Sequence, residues 1–185
     1  MLYFDERKGR VMYLISIYFD EKTGKRIQGY INRVAEHSDN HFMLDEKVPP
    51  HITLSAFETR DVEPVIDKLS RAVKNMEKGR FQWATAGQFF PYVIFLAPVL
   101  NEYLHSLSQL VYDCLSKIED VSINPFYQPF QWLPHTTVGK TLSKEQMRKA
   151  FEVLQNSFGV FEGEVVEIGL AKTNPHRDIV RWKLD

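Results

Sequence analysis

Two short segments constrain this chain more than any other feature. Residues 50–57 read "PHITLSAF" and residues 134–140 read "PHTTVGK". Each opens on Pro-His, carries Thr two residues after the His, and continues with an aliphatic residue. The likeness extends beyond the letters. Each segment precedes a helical stretch and then a strand, with Phe81 lying 30 residues after His51 and Phe161 lying 26 residues after His135. A repeat of this length implies a duplicated supersecondary unit, and therefore a fold with approximate internal two-fold symmetry. In an extended segment residues i and i+2 share a face. His51, Thr53 and Ser55 thus line one face of the first strand, and His135, Thr137 and Gly139 line one face of the second.

The rest of the chain reads as alternating strands and helices. "VMYLISIYF" (11–19) is rich in β-branched and aromatic residues and is expected as a strand. A helix capped by Thr23 is expected to run to about Ser38, with Ile27, Tyr30, Ile31 and Val34 on one side. Residues 39–50 read as a loop. Helical spacing of Val62, Val65, Ile66, Leu69, Val73 and Met76 predicts a second helix over 62–76. "FQWATAGQFF" and "YVIFLAP" are expected as a hairpin turning at Pro91. Leu100, Leu104, Leu107, Val111, Cys114, Leu115 and Ile118 mark a third helix. Residues 119–132 read as a loop. Ser143 is placed to cap a helix ending near Phe158, and "VFEGEVVEIGLAKT" and "DIVRWKL" close the chain as a second hairpin. The expected class is α+β: two pseudo-symmetric lobes, each with an antiparallel sheet and flanking helices, around a central cleft in a single bilobal domain spanning 1–185. The second unit shows no obvious equivalent of the strand at 11–19. Residues 1–10 are an extension with no assigned role.

Bulk properties exclude some functions. The net charge is −1 with 25% charged residues, so no general basic field exists to coat long nucleic acid. A small anionic ligand or the end of a nucleic acid remains compatible with a local site. Cys114 is the single cysteine, so no intrachain disulfide forms. With no secretory signal visible, the expectation is a cytoplasmic protein. The longest apolar runs are too short for a membrane helix, and no membrane partner is expected.

Two His-x-Thr strands, 84 residues apart, resemble those of the 2H phosphoesterase superfamily. Within it the chain is similar to the bacterial 2′–5′ RNA ligase and 2′,3′-cyclic phosphodiesterase family. The resemblance covers nearly the whole length, including "VMYLISIYFD", "GQFFPYVIFLAP" and "VEIGLAKTNPHRDIVRWKL". It implies a phosphoesterase that opens a 2′,3′-cyclic phosphate on an RNA end or a small nucleotide, with reversible 2′–5′ ligation at the same site. The motif pair is specific to the superfamily and not to one substrate.

The residue types suit that chemistry. A histidine with an ordinary pKa of about 6.5 works as acid or base near neutral pH. His51 and His135 are the candidate pair, one removing a proton from the nucleophile and the other protonating the leaving oxygen. Which histidine is the acid stays open. Hydroxyls of Thr53 and Thr137, with Ser55 behind them, are candidate donors to the phosphate oxygens. Lys140, where many family members carry a basic residue, is a further candidate, although strand alternation turns it the other way. The scheme calls for no metal and no cofactor, and the chain is expected to act as a monomer.

Other residues rank lower. His37 and His41 have i, i+4 spacing but no acidic or cysteine partner motif. His105 is expected on a helix surface and His176 in a turn beside Pro175. Trp132, Phe90 and Tyr92 are candidates for stacking on a base. Two other readings stand beside the leading one: a non-catalytic binder of nucleotides or RNA ends, and a 2H enzyme for another small cyclic phosphate, such as that of ADP-ribose.

Overall fold

Strand β1 (Val11–Phe19) opens the fold, followed by α1 (Glu21–Ser38), α2 (Phe42–Asp45), β2 (Ile52–Thr59), α3 (Glu63–Ala72), β3 (Gly79–Phe89) and β4 (Val93–Pro98). The second half contains α4 (Glu102–Leu115), β5 (Ser122–Ile123), a short 3-10 helix (Pro125–Tyr127), β6 (Thr136–Gly139), α5 (Lys144–Ser157), β7 (Phe161–Lys172) and β8 (Arg177–Lys183). These elements come from a computed structural model, which describes residues 10–173 and 176–185. Most of the N-terminal extension and part of the turn before β8 therefore lie outside the described residues.

The α+β class and antiparallel pairing are as expected. The strands form one continuous antiparallel sheet in the order β5-β2-β1-β7-β3-β4-β6, with β8 added beside β7. The two lobes are the two arms of this sheet, joined where Phe161 of β7 pairs with Trp83 of β3. Exchanging β1 with β4, β2 with β6 and β3 with β7 reverses the order β2-β1-β7-β3-β4-β6 onto itself. This corrects one expectation. The strand at 11–19 does have an equivalent, and it is β4, which pairs with the second motif strand as β1 pairs with the first. The repeated unit is therefore β-α-β-α-β, and its second copy begins inside what the sequence reads only as a hairpin.

Helices cross between the arms. α1 follows β1 but packs on α5 and β6, while α4 follows β4 but packs on α3 and β2. Each layer thus contains one helix from each unit. Core residues Ile15, Ile17, Ile52, Leu54, Ile94 and Leu96 are at most 1% exposed. Burying each such side chain contributes about 1.5–3 kcal/mol, which anchors the strands that carry the motifs.

Helix ends differ from the expectation where a side chain competes for the cap. Asp20 caps α1, its carboxylate accepting from the backbone amides of Lys22 and Thr23, whereas Thr23 is buried within the first turn. Asn101 caps α4 in the same way by accepting from Leu104 N. Ser143 does cap α5, in a reciprocal capping box with Gln146. α3 stops at Ala72, and Asn75 adopts a left-handed φ of 60° three residues later. Among the described residues no helix is long and apolar enough to cross a membrane.

Candidate active site

His51 and His135 each sit one residue before a motif strand, and the backbone treats both alike. His51 Nδ1 lies 2.8 Å from Pro49 O, and His135 Nδ1 lies 2.8 Å from Leu133 O. A carbonyl oxygen only accepts, so in each ring Nδ1 carries the hydrogen and donates it. The proton affinity of each imidazole then resides on Nε2. Both rings are half-buried. The repeat therefore preserves a tautomer as well as a residue type.

The two motifs are tied together directly. The Thr136 hydroxyl donates to His51 O at 2.7 Å, so the second strand grips the backbone of the first catalytic candidate. Trp132 Nε1 donates to Thr53 O at 2.9 Å. Sequence reasoning offered Trp132 as a base platform, and the structure corrects this. Trp132 is only 7% exposed, and its indole N–H is spent on the first motif strand. A buried indole needs an acceptor, and the nearby strand supplies one.

The remaining candidates separate by depth. Thr53 is buried and Thr137 half-buried, each two residues after its histidine. Tyr127 of the 3-10 helix lies near Thr53; burial pushes its phenol up, and the nearby Thr53 side chain opposes this. Ser55 corrects an expectation: a β-bulge at Leu54 breaks the alternation, so Ser55 pairs with core Ile15 while Thr53 pairs with Ser16, and Ser55 lies on the core side, 1% exposed, with no hydrogen-bond partner for its hydroxyl among the described residues. Lys140 is exposed, and its ammonium lies 5.6 Å from the centre of the Phe42 ring on α2. Lys140 follows the end of β6, past a bulge at Val138 that breaks the expected alternation and turns Gly139 toward core residues Ile94 and Leu142. His37 and His41 do not share a helix face, because the left-handed Asp39 ends α1 between them.

The flanks of the two histidines differ. Beside His135 stand Phe89 and Phe95, with ring centres 4.8 and 5.3 Å away. Phe90 and Tyr92 project from the same hairpin, 80% and 50% exposed. Beside His51 stands Tyr18, 6.1 Å away, with the Arg181 guanidinium 3.7 Å from the Tyr18 ring centre. His176 of the β7–β8 turn also belongs to this flank, its Nε2 3.4 Å from Asp178 Oδ1. Neither Arg181 nor His176 was singled out for the site from sequence. Their placement depends on β8 pairing with β7, which no local pattern announces.

Electrostatics follow from this layout. Burial pushes the His51 imidazole down to about 4; the Pro49 carbonyl opposes this, while the charges of His176, His135 and Arg181 push further down. Burial also lowers the His135 imidazole, with the Leu133 carbonyl opposing it. Burial raises the Tyr18 phenol to about 12, with Arg181 opposing. In the free protein at neutral pH both imidazoles are therefore neutral, with unprotonated Nε2 atoms. An anion bound between them would raise the proton affinity of both.

Comparison with known proteins accords with this geometry. The family model described as 2′-5′ RNA ligase superfamily matches residues 23–177. The chain belongs to that superfamily. Among solved structures, one described as a phosphoesterase superposes with a TM-score of 0.61 at 13% identity, covering 94% of this chain and 98% of its own. E. coli LigT complexed with 3′-AMP superposes with a TM-score of 0.56 at 12% identity, covering 96% and 99%. E. coli LigT complexed with phosphate gives 0.54 at 13% identity, covering 96% and 99%. At such identities these structures establish the shared fold. No curated protein sequence matches the chain.

Proposed function

We propose that this member of the 2′-5′ RNA ligase superfamily is a phosphoesterase that opens 2′,3′-cyclic phosphates, with His51 and His135 as its acid–base pair. The observation that carries the proposal is the matched tautomer of the two histidines. Two imidazoles with backbone-held Nδ1–H groups and unprotonated Nε2 atoms, tied together through Thr136, supply the groups an in-line displacement needs.

In the hydrolytic direction one Nε2 takes a proton from water as the water oxygen bonds to phosphorus. The other Nε2, protonated once the phosphate is bound, gives its proton to the ribose oxygen as that P–O bond breaks. The product is a ribose phosphomonoester. Each proton transfer is expected to contribute about 10²–10⁴-fold. Thr53 and Thr137 donate hydroxyl hydrogens to the nonbridging oxygens, where charge builds in the transition state. A 5′-hydroxyl in place of water runs the same geometry toward a 2′–5′ link. The substrate class is an RNA end or small nucleotide carrying a cyclic phosphate, handled in the cytoplasm by a monomer. The complexes of LigT with 3′-AMP and phosphate support a nucleotide-sized anionic ligand for this fold.

The test is turnover on nucleoside 2′,3′-cyclic phosphates, RNA ending in a cyclic phosphate, and the cyclic phosphate of ADP-ribose, with wild type, His51→Ala and His135→Ala. Each alanine variant is expected to lose turnover by at least about 10²-fold while remaining folded. Full activity in either variant would sink the two-histidine scheme. Binding without turnover by the wild type would make the protein a nucleotide or RNA-end binder.

A further inference from the structure

The two-fold symmetry of the sheet makes its departures informative, β8 above all. In each half the histidine abuts an aromatic ring that lies over a glycine of the next strand. On the His135 side the ring is Phe95 and the glycine is Gly87, where an added Cβ would come within 2.7 Å of Phe95 Cζ. On the His51 side the ring is Tyr18 and the glycine is Gly169, where an added Cβ would come within 2.7 Å of Tyr18 Cε2 and 3.2 Å of Arg181 Cγ. The glycines pair with equivalent strands, Gly87 with Phe95 of β4 and Gly169 with Ser16 of β1. Only the His51 side has a further strand outside this arrangement. β8 pairs with β7 along 167–172, and among the described residues no strand pairs with the equivalent part of β3.

What β8 adds is a guanidinium laid on the Tyr18 ring. Arg181 Nε and Nη2 donate to Asp178 Oδ2 at 3.0 and 2.8 Å, and Nη1 donates to Glu167 Oε2 at 3.3 Å. These pairs are partly exposed, with Arg181, Glu167 and Asp178 side chains at 30%, 22% and 44% exposure. Screening keeps their direct contribution to stability small. Their geometric effect is larger: three charge-assisted bonds fix a planar group, which then fixes the ring beneath it. The ring in turn bounds one side of the His51 imidazole.

We propose that Arg181 is a positioning residue for His51, acting through Tyr18. Among the described residues it has no counterpart beside His135, so it makes the two halves of a symmetric site unequal. The kinetic part of this inference rests on the proposed function; the structural part stands without turnover. A catalytic group displaced by a fraction of an ångström loses rate before it loses substrate affinity, which sets the signature to look for. The charged and titratable groups acting on His51 are His176 of the β7–β8 turn, His135 just before β6 and Arg181 of β8, with the Tyr18 ring of β1 beside it; those acting on Tyr18 are Arg181 and Asp178 of β8 and Glu167 of β7.

Two readouts test it. The first is the His51 imidazole signal in NMR titrations of the free protein; the second is the separate effect on kcat and KM with a nucleoside 2′,3′-cyclic phosphate. In Arg181→Met the His51 midpoint is expected to rise, because a cation is lost and two carboxylates are released, while the His135 signal stays in place. kcat is expected to fall by about tenfold or more with KM within about threefold. Arg181→Lys should recover part of kcat. Gly169→Ala, which crowds the Tyr18 ring without removing any charge, should lower kcat as well, and with Arg181→Lys it carries the test if Arg181→Met does not fold. An unchanged His51 signal in Arg181→Met overturns the proposal, as does a rise in KM at constant kcat, which would make Arg181 a substrate contact. If the wild type turns over no cyclic phosphate, the proposed function fails and the NMR comparison alone decides the positioning role.

Discussion

Thr136→Val isolates the link between the two motifs. Valine nearly matches threonine in shape, so the substitution removes the hydroxyl that donates to His51 O at 2.7 Å and little else. Thr136 is 1% exposed, which keeps water from replacing the lost donor. Leaving a buried carbonyl unpaired costs about 1–3 kcal/mol. For a chain of this size each kcal/mol lowers Tm by about 2–4 °C, so the variant should melt roughly 2–12 °C below wild type. The bond also sets the spacing between the motifs, so kcat on a cyclic nucleotide should fall by about 10–100-fold. Thr137→Val is the control. Among the described residues its hydroxyl makes no hydrogen bond within the protein, so Tm should barely move while kcat falls through loss of a phosphate donor. Calorimetry and steady-state kinetics on the two variants check this. If both variants lose the same stability, or Thr136→Val melts lower with kcat intact, the link does not position the site.

Acid stability offers a second test. The His51 imidazole binds a proton near pH 4 when folded and near 6.5 when unfolded, so between those values the unfolded chain takes up a proton that the folded chain refuses. Its contribution is complete above about pH 6.5 and is lost as pH falls toward 4, by up to about 3 kcal/mol. His135 acts in the same direction. Urea unfolding across this range should show a shallower slope with pH in His51→Gln, and an identical slope would remove the burial explanation. Phe90, 80% exposed beside the candidate cleft, tests base stacking. Phe90→Ala should leave Tm unchanged and raise KM for a cyclic nucleotide by about 5–150-fold if the ring carries a base, given about 1–3 kcal/mol per stacked base. An unchanged KM would exclude it.

Local rules account for what the sequence by itself determined. Period-two alternation placed His51 and Thr53 on one face, and His135 and Thr137 on another. Helical spacing located the main helices, and Ser143 marked the start of α5. The duplication showed in the Pro-His-x-Thr pair because those residues are few and their neighbours fall at matching distances. Asp20 in place of Thr23 as the cap of α1 was also a local matter, decided by which side chain reached the free amides first. The tertiary structure decided the rest, because strand pairing joins residues that no spacing connects. It made β4 the equivalent of β1, buried Trp132 against Thr53, set the Thr136 hydroxyl on His51 O, and brought Arg181 and His176 to the His51 flank. Each histidine's place in its own strand is a property of a few neighbouring residues. The neutrality of its imidazole is a property of burial, and for His51 also of His176 and Arg181, more than a hundred residues away along the chain.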